Sequence, residues 1–272
     1  MMNLMSLVSI AAFLFVNIST LLASDPVSKE WTIEGTKRDA LIFVPSSAKS
    51  EASPVVFAFH GHGGGSRQAS RSFQMHSEWP EAIVVYMQGL PTPGQLTDPD
   101  GKKPGWQKAE GDQNDRDLKF FDEVLKTLRK EYKVDDNRIY AMGHSNGGGF
   151  TYLLWATRVD TFAAFAPSGA LLKNSRGKLK PKPVLHVAGE NDPLVRFAWQ
   201  KAQIETVKEV NQCEEGKPWN GKATIYPSKV NAPLVTYLTN EGHKFPASAP
   251  ELIVKFFKDH TKPETADRKS TP

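Results

Sequence analysis

A single cysteine, Cys213, stands in the 272-residue chain, so no intrachain disulfide can form and the fold must rest on a buried core. Its neighbours Glu214 and Glu215 are acidic, which raises a thiol pKa and speaks against a nucleophilic role. Charge is not concentrated either. The net +4 comes from interspersed signs, with no basic stripe and no nucleic-acid-binding motif, so no nucleic-acid partner is expected. No internal repeat is visible. Metal-ligand spacing is lacking as well: Asp98 and Asp100-Gly101 miss the remaining ligands of a calcium loop, and His60 and His62 miss a matching third ligand, so neither metal nor cofactor is expected.

Long apolar runs are scarce. The one pronounced case, Leu7 to Val16, lies in the uncharged stretch 1–24 and is broken by Asn17, Ser19 and Thr20 before it reaches the roughly 20 residues of a spanning helix. Residues 1–24 read as a signal peptide, which makes the protein secreted or periplasmic; an uncleaved N-terminal anchor is the rival, and no stable membrane span is expected. Residues 262–272, rich in Lys, Thr and Pro, read as a disordered polar tail. Between them, residues 25–261 form one domain, since 39% hydrophobic and 24% charged content suffices for one well-buried core.

What is present alternates. Trp31 to Ile33 and Ala40 to Val44 read as paired strands joined across Gly35. Val55 to Phe59 is apolar without a break, as a central parallel strand covered on both faces requires. Further strands are predicted at Ile83 to Met87, Ile139 to Met142, Phe162 to Phe165, Val184 to Ala188 and Leu234 to Thr239. Helical spacing joins Leu118, Phe121, Val124, Leu125 and Leu128, then Ile204 and Val207, then Leu252, Ile253, Phe256 and Phe257. The alternation predicts an α/β fold, a doubly wound, mostly parallel sheet with helices on both faces. The Pro- and Gly-rich segment Gln88 to Asp117 reads as a long surface loop shaping a crevice at the carboxyl ends of the strands, with Trp106 as a substrate-binding candidate.

The densest signal is Gly143-His144-Ser145-Asn146-Gly147, a GxSxG string between a predicted strand and the helical spacing of Phe150, Leu153 and Leu154. In that setting the serine sits on a tight, strained turn, and the flanking glycines leave room for it. A serine hydroxyl needs a base to take its proton and an acid to orient that base. In this architecture they follow in the order Ser, Asp/Glu, His. Of seven histidines, His186 lies inside a strand, His144 belongs to the elbow, His76 and His260 fall on predicted helices, and His60 and His62 precede the serine. His243 follows the last strand, on a loop. Asp192 is favoured as the acid over Glu190 and Glu241, because Pro193 and a helix from about Phe197 would hold its loop. The glycine-rich string His60-Gly61-His62-Gly63-Gly64-Gly65 predicts backbone donors for an oxyanion from His62 or Gly63, joined by the N–H of Asn146. His144 is a second substrate-binding candidate.

Seven blocks in order carry a family likeness: Arg38 to Pro45, His60 to Gly64, Val85 to Gly89, Gly143 to Gly148, Phe162 to Pro167, Gly189 to Pro193, and Glu241 to Pro246. Over about Trp31 to Phe257 the chain resembles the extracellular polyhydroxybutyrate depolymerase, feruloyl esterase and acetyl xylan esterase group of α/β-hydrolases. It departs in carrying His62 where many members have a cysteine. The resemblance implies an α/β-hydrolase fold, a triad of Ser145, Asp192 and His243, and hydrolysis of an ester substrate, a small molecule or polymer fragment, through an acyl-enzyme. Two alternatives stay open: a serine peptidase of prolyl-oligopeptidase type, and a catalytically silent polysaccharide-binding protein on a hydrolase scaffold.

Overall fold

The computed structural model describes residues 25–94, 96–173 and 177–263; the leader and most of the tail lie outside the described residues. In chain order the strands are β1 (Val27–Ile33), β2 (Thr36–Phe43), β3 (Ser53–Phe59), β4 (Ile83–Met87), β5 (Leu90–Pro91), β6 (Pro104–Gly105), β7 (Val134–His144), β8 (Ala164–Ser168), β9 (Val184–Gly189), β10 (Lys217–Pro218), β11 (Ala223–Tyr226) and β12 (Leu234–Thr239). The helices are α1 (Ser66–Phe73), α2 (Met75–Glu78), α3 (Arg116–Glu131), α4 (Asn146–Arg158), α5 (Phe197–Val210) and α6 (Ala249–Lys258). No helix among the described residues is long and apolar enough to cross a membrane.

Ten strands form one sheet in the order β1-β2-β4-β3-β7-β8-β9-β12-β11-β10. The six central strands, β4 to β12 in that order, run parallel, and antiparallel pairs close both edges. Each side chain of β3 is buried because alternate residues enter different layers: Val55, Phe57 and Phe59 join the core under α3, α4 and α5, while Val56 and Ala58 join the core under α1, α2 and α6. The chain leaves β3 toward β4 on one side and later returns to β7 on the other. Between β3 and β7 lies a point where strand order reverses, the place where an open α/β sheet leaves a crevice at its carboxyl ends.

Several elements differ from the sequence reading. The strand expected at Phe162 to Phe165 is displaced to Ala164–Ser168, because Phe162 packs among the aromatics under α3 before the strand begins. Helix α1 was not predicted: it buries only Ala69 and Phe73 among apolar residues and fills its inner face with Ser66 and Ser70. β10 and β11, at one margin of the sheet, are short and mostly half-buried or exposed, with only Ala223 buried, so they carry no apolar run. His260 lies beyond the end of α6 rather than on it.

The segment from Gln88 to Asp117 is less of a surface loop than its composition implies. Both ends are pinned by Arg38, whose guanidinium donates to Gln88 O (3.2 Å) and to Asp117 Oδ1 (2.8 Å) in a fully buried pair. Asp117 Oδ2 in turn accepts the Gln107 N–H (2.8 Å). Burial, with a smaller contribution from Arg116, holds the Arg38 pKa below its ordinary value, and Asp117 opposes that.

Candidate active site

Strand β7 ends in a turn so sharp that Ser145 takes φ 57° and ψ −121°, outside the ordinary regions for a residue with a Cβ. A Cβ on Gly143 would collide with the Gly147 carbonyl oxygen, and one on Gly147 would collide with the carbonyl oxygen of Phe59 on β3. Both glycines are therefore demanded by backbone contact. The Ser145 N–H bonds Ser168 O (2.8 Å) at the end of β8, and Ser145 O accepts the Gly149 N–H (2.9 Å) to start α4. The strained turn is held from both sides.

Asp192 and His243 arrive on adjacent loops, after the parallel neighbours β9 and β12. Asn191 ties the loops together through its Nδ2 to Asn240 O (2.8 Å) and its N–H to Glu241 O (3.2 Å). The backbone packs so closely there that a Cβ on Gly189 would lie 2.5 Å from the carbonyl oxygens of Glu241 and Gly242. His243 Nε2 stands 2.7 Å from Ser145 Oγ, and His243 Nδ1 stands 2.7 Å from Asp192 Oδ2. Asp192 Oδ1 accepts the N–H groups of Leu194 and Val195 (2.9 Å each), and Oδ2 accepts an amide hydrogen of Gln200 (3.2 Å). The carboxylate is buried with four donors around it, whereas Glu190 and Glu241 are exposed. The three residues chosen from the sequence thus form one connected line.

The first N–H of α4, on Asn146, has no intrahelical acceptor by its position. The His62 N–H is likewise without a backbone partner among the described residues, and both belong to residues that border Ser145 and the cleft. The Gly63 N–H is committed elsewhere, to Pro104 O at 2.7 Å on β6. Among the described residues, the Asn146 and His62 N–H groups are thus the ones beside Ser145 left without a backbone acceptor.

The other histidines have structural assignments. His60 is buried, donates Nδ1–H to Gly61 O (2.8 Å), accepts the Gly89 N–H at Nε2 (2.9 Å), and burial pushes its pKa down to about 4. The His62 ring reaches Asp98 Oδ2 (3.1 Å), which also accepts the Lys103 N–H (2.8 Å). His144 contacts Ser168 Oγ through Nδ1 (3.0 Å) and tilts against the His243 ring with centroids 4.9 Å apart. Burial, reinforced by His243, lowers its pKa to about 3, so it stays neutral beside a histidine that would become cationic during a reaction.

Trp106 is not a substrate platform. It is wholly buried, stacked on Phe150 at 5.3 Å and edge-on to Phe59 at 5.2 Å, with its indole N–H donated to His60 O (2.9 Å). The Asn146 side chain clamps its backbone from both ends, Oδ1 accepting Trp106 N–H (2.7 Å) and Nδ2 donating to Trp106 O (3.1 Å). The tryptophan is consumed in fastening the 88–117 segment to the elbow.

Two cavities flank Ser145, sharing His62 and His243. One, of about 280 Å³, is apolar and opens between Leu96, Leu171, Leu194 and Trp199. Three of those are among the few large apolar side chains left exposed, at 58% for Leu96, 39% for Leu194 and 45% for Trp199. The other, of about 520 Å³, is more polar and is bordered by Gln68, Ser72, His144, Lys244, Phe73 and Phe245. His144 thus does border a cavity. Trp199 and Gln200 were missed from the sequence. Gln200 and Gln203 are polar residues in the buried stripe of Ile204 and Val207, a signal that could have marked them.

The prolyl oligopeptidase family matches residues 104–176, which include the elbow. The bifunctional acetylxylan esterase/xylanase of Neocallimastix patriciarum is 25% identical over 207 residues, 75% of this chain and 28% of that protein. A protein described as probable feruloyl esterase C of Aspergillus flavus is 26% identical over 193 residues, 68% of this chain and 67% of that protein. Among solved structures, a ferulic acid esterase superposes with a TM-score of 0.61 at 16% identity, over 86% of this chain and 98% of that one. The chain therefore spans little more than a quarter of the first of these relatives and about two thirds of the second.

Proposed function

We propose that this chain, an α/β-hydrolase of the esterase group, is a serine carboxylesterase that cleaves a feruloyl- or acetyl-type ester of a polysaccharide, or of its fragments, through an acyl-enzyme. The observation that carries this is the line Ser145 Oγ, His243 Nε2, His243 Nδ1, Asp192 Oδ2, closed by two 2.7 Å contacts at the mouth of two cavities.

Ser145 Oγ attacks the ester carbonyl carbon as His243 Nε2 takes its proton. The carbonyl oxygen becomes an oxyanion facing the N–H groups of Asn146 and His62 at the positive end of α4, and each donor of this kind is worth about 3 kcal/mol of barrier. Collapse expels the alcohol, which leaves with the proton held by His243. Water then repeats the sequence on the acyl-enzyme and releases the acid. Asp192 keeps Nδ1 protonated and the ring oriented throughout, and neutral His144 adds no repulsion to the imidazolium.

The apolar cavity receives the acyl group and the polar one the alcohol. Acetyl would leave most of about 280 Å³ unfilled, so an aromatic acyl group is the better fit. Residues 25–261 constitute the catalytic domain, and the leader 1–24 exports it.

The test is turnover of nitrophenyl acetate, methyl ferulate, acetylated xylan and polyhydroxybutyrate, alongside a prolyl peptide anilide. We expect esters to exceed the peptide, methyl ferulate to lead, and Ser145→Ala to lose roughly 10³-fold or more in kcat. Wild-type rates no higher than those of Ser145→Ala would sink the assignment. Faster cleavage of the peptide would move it to the peptidases, and failure of a fluorophosphonate to label Ser145 would leave a silent scaffold.

A further inference from the structure

Asp192 receives a donor that a three-residue mechanism does not require. Gln200, wholly buried on α5, gives its amide Nε2 to Asp192 Oδ2 (3.2 Å) and to Val195 O (2.7 Å). Both partners only accept, so the amide has one admissible orientation: reversing it would press Oε1 against a carboxylate and a carbonyl. Oε1 therefore points away from both, and it is a buried acceptor without a hydrogen-bond partner among the described residues.

The matching orphan is on β9. His186 Nε2 is also buried and unpartnered, and Gln200 is the side chain that acts on this ring. The other ring nitrogen, Nδ1, lies 2.7 Å from the hydroxyl of Tyr152 on α4. Tyr152, His186 and Gln200 are all wholly buried. Burial drives the Tyr152 pKa up and the His186 pKa down to about 4, so phenol and imidazole are both neutral. If Tyr152 donates to Nδ1, the ring hydrogen sits on Nε2 as a donor matched to the Gln200 Oε1 acceptor, and a small closing of the two would satisfy both orphans. The opposite tautomer would set two acceptors face to face.

We infer that Tyr152, His186 and Gln200 act in series as positioning residues, fixing the Asp192 carboxylate from behind so that its Oδ2 faces His243. This rests on Ser145, Asp192 and His243 being the catalytic triad. Each member sets the hydrogen-bond direction of the next: the phenol sets the imidazole tautomer, the imidazole holds the amide oxygen, and the amide nitrogen holds the carboxylate. None touches substrate.

The experiment measures kcat and KM on nitrophenyl acetate, the rate of fluorophosphonate labelling at Ser145, and Tm. The proteins are the wild type, Gln200→Met, Gln200→Glu, His186→Leu, Tyr152→Phe and the double variant Gln200→Met/His186→Leu. We expect Gln200→Met to lose roughly 10- to 100-fold in kcat and in labelling rate with KM within about twofold, since a displaced orienting group costs on that scale. Gln200→Glu keeps the shape without the amide donor and should lose as much, which covers the case where the methionine variant does not fold. His186→Leu should lose about 3- to 10-fold and Tyr152→Phe about twofold. The double variant should be no slower than Gln200→Met, because links in one chain do not multiply. Unchanged kcat in both Gln200 variants, multiplied effects in the double variant, or losses that follow Tm rather than distance from Asp192 would overturn the inference. A wild type that is not labelled at Ser145 would instead remove the triad on which it rests.

Discussion

The elbow at Ser145 and the segment from Gln88 to Asp117 meet at one clamp, Asn146 on Trp106, and they are held by opposite means. The elbow is shaped by backbone pressing on backbone: Gly143 against Gly147, Gly147 against Phe59, the Ser145 N–H on Ser168 O. The 88–117 segment is shaped by side chains reaching in from elsewhere. Arg38 pins its ends, Asn146 holds its middle, Asp117 at its own end reaches back to Gln107, and the His62 ring sits where a Cβ on Gly94 or Gly105 would have to be. Both regions resist an added atom at their glycines, but the segment depends in addition on buried charges and amides that the elbow lacks.

The largest effect expected from that contrast is at Asp117. In Asp117→Ala the Arg38 guanidinium stays buried without its carboxylate, and unfolding free energy should fall by about 3 to 5 kcal/mol in a urea titration. Pairing it with Arg38→Met should recover much of the loss. A single variant as stable as wild type would mean that the segment does not depend on the pair.

Next is Gly147→Ala, where one methyl meets the Phe59 carbonyl. We expect a loss of about 3 kcal/mol in the same titration and a turnover defect beyond it, since Ser145 must shift with the turn. Of similar size is the acid response of His60, at the seam between the regions. Its folded pKa of about 4 lies below its ordinary 6.5, so the folded protein resists protonation that the unfolded chain accepts. The stability tied to neutral His60 is complete above pH 6.5 and declines as pH falls toward 4, the loss reaching about 3 kcal/mol at the acid end. His60→Gln should flatten that part of the urea midpoint against pH. An unchanged slope would assign the acid sensitivity elsewhere, for instance to His186, whose pKa is lowered similarly.

The smallest effect is expected for Asn146→Ala. It removes both hydrogen bonds to the Trp106 backbone but leaves the Asn146 N–H in place, so about 1 to 2 kcal/mol of stability should go. A drop in kcat with little change in Tm would show that the clamp serves the oxyanion donors more than the fold.

The same contrast explains what was legible beforehand. The elbow is local, and glycines two residues before and after a serine state their steric reason in the sequence. Strands such as Val55 to Phe59 are legible because burial on both faces leaves no polar residue. The loop histidine after the last strand and the aspartate after the strand Val184 to Ala188 follow from chain order. Trp106 misled because a lone aromatic among Pro, Gly and Asp resembles a surface platform, while its partners Phe59, Phe150 and Asn146 lie some 40 residues or more away along the chain. Gly63 misled because its amide is taken by Pro104, about 40 residues further along the chain. Gln200 escaped notice because a glutamine in an apolar stripe names no partner.

The order of apolar runs, breakers and small residues by itself determined the alternating sheet, the sharp turn at Ser145 and the three side chains placed at strand ends. These follow from rules that act over a few residues or over the order of elements. Only the tertiary structure decided which amides remain free for an oxyanion, which aromatic is buried and which exposed at the cleft, and what stands behind Asp192. Those depend on hydrogen bonds and contacts between residues far apart in the chain, where donors and acceptors find one another only after the sheet has brought them together.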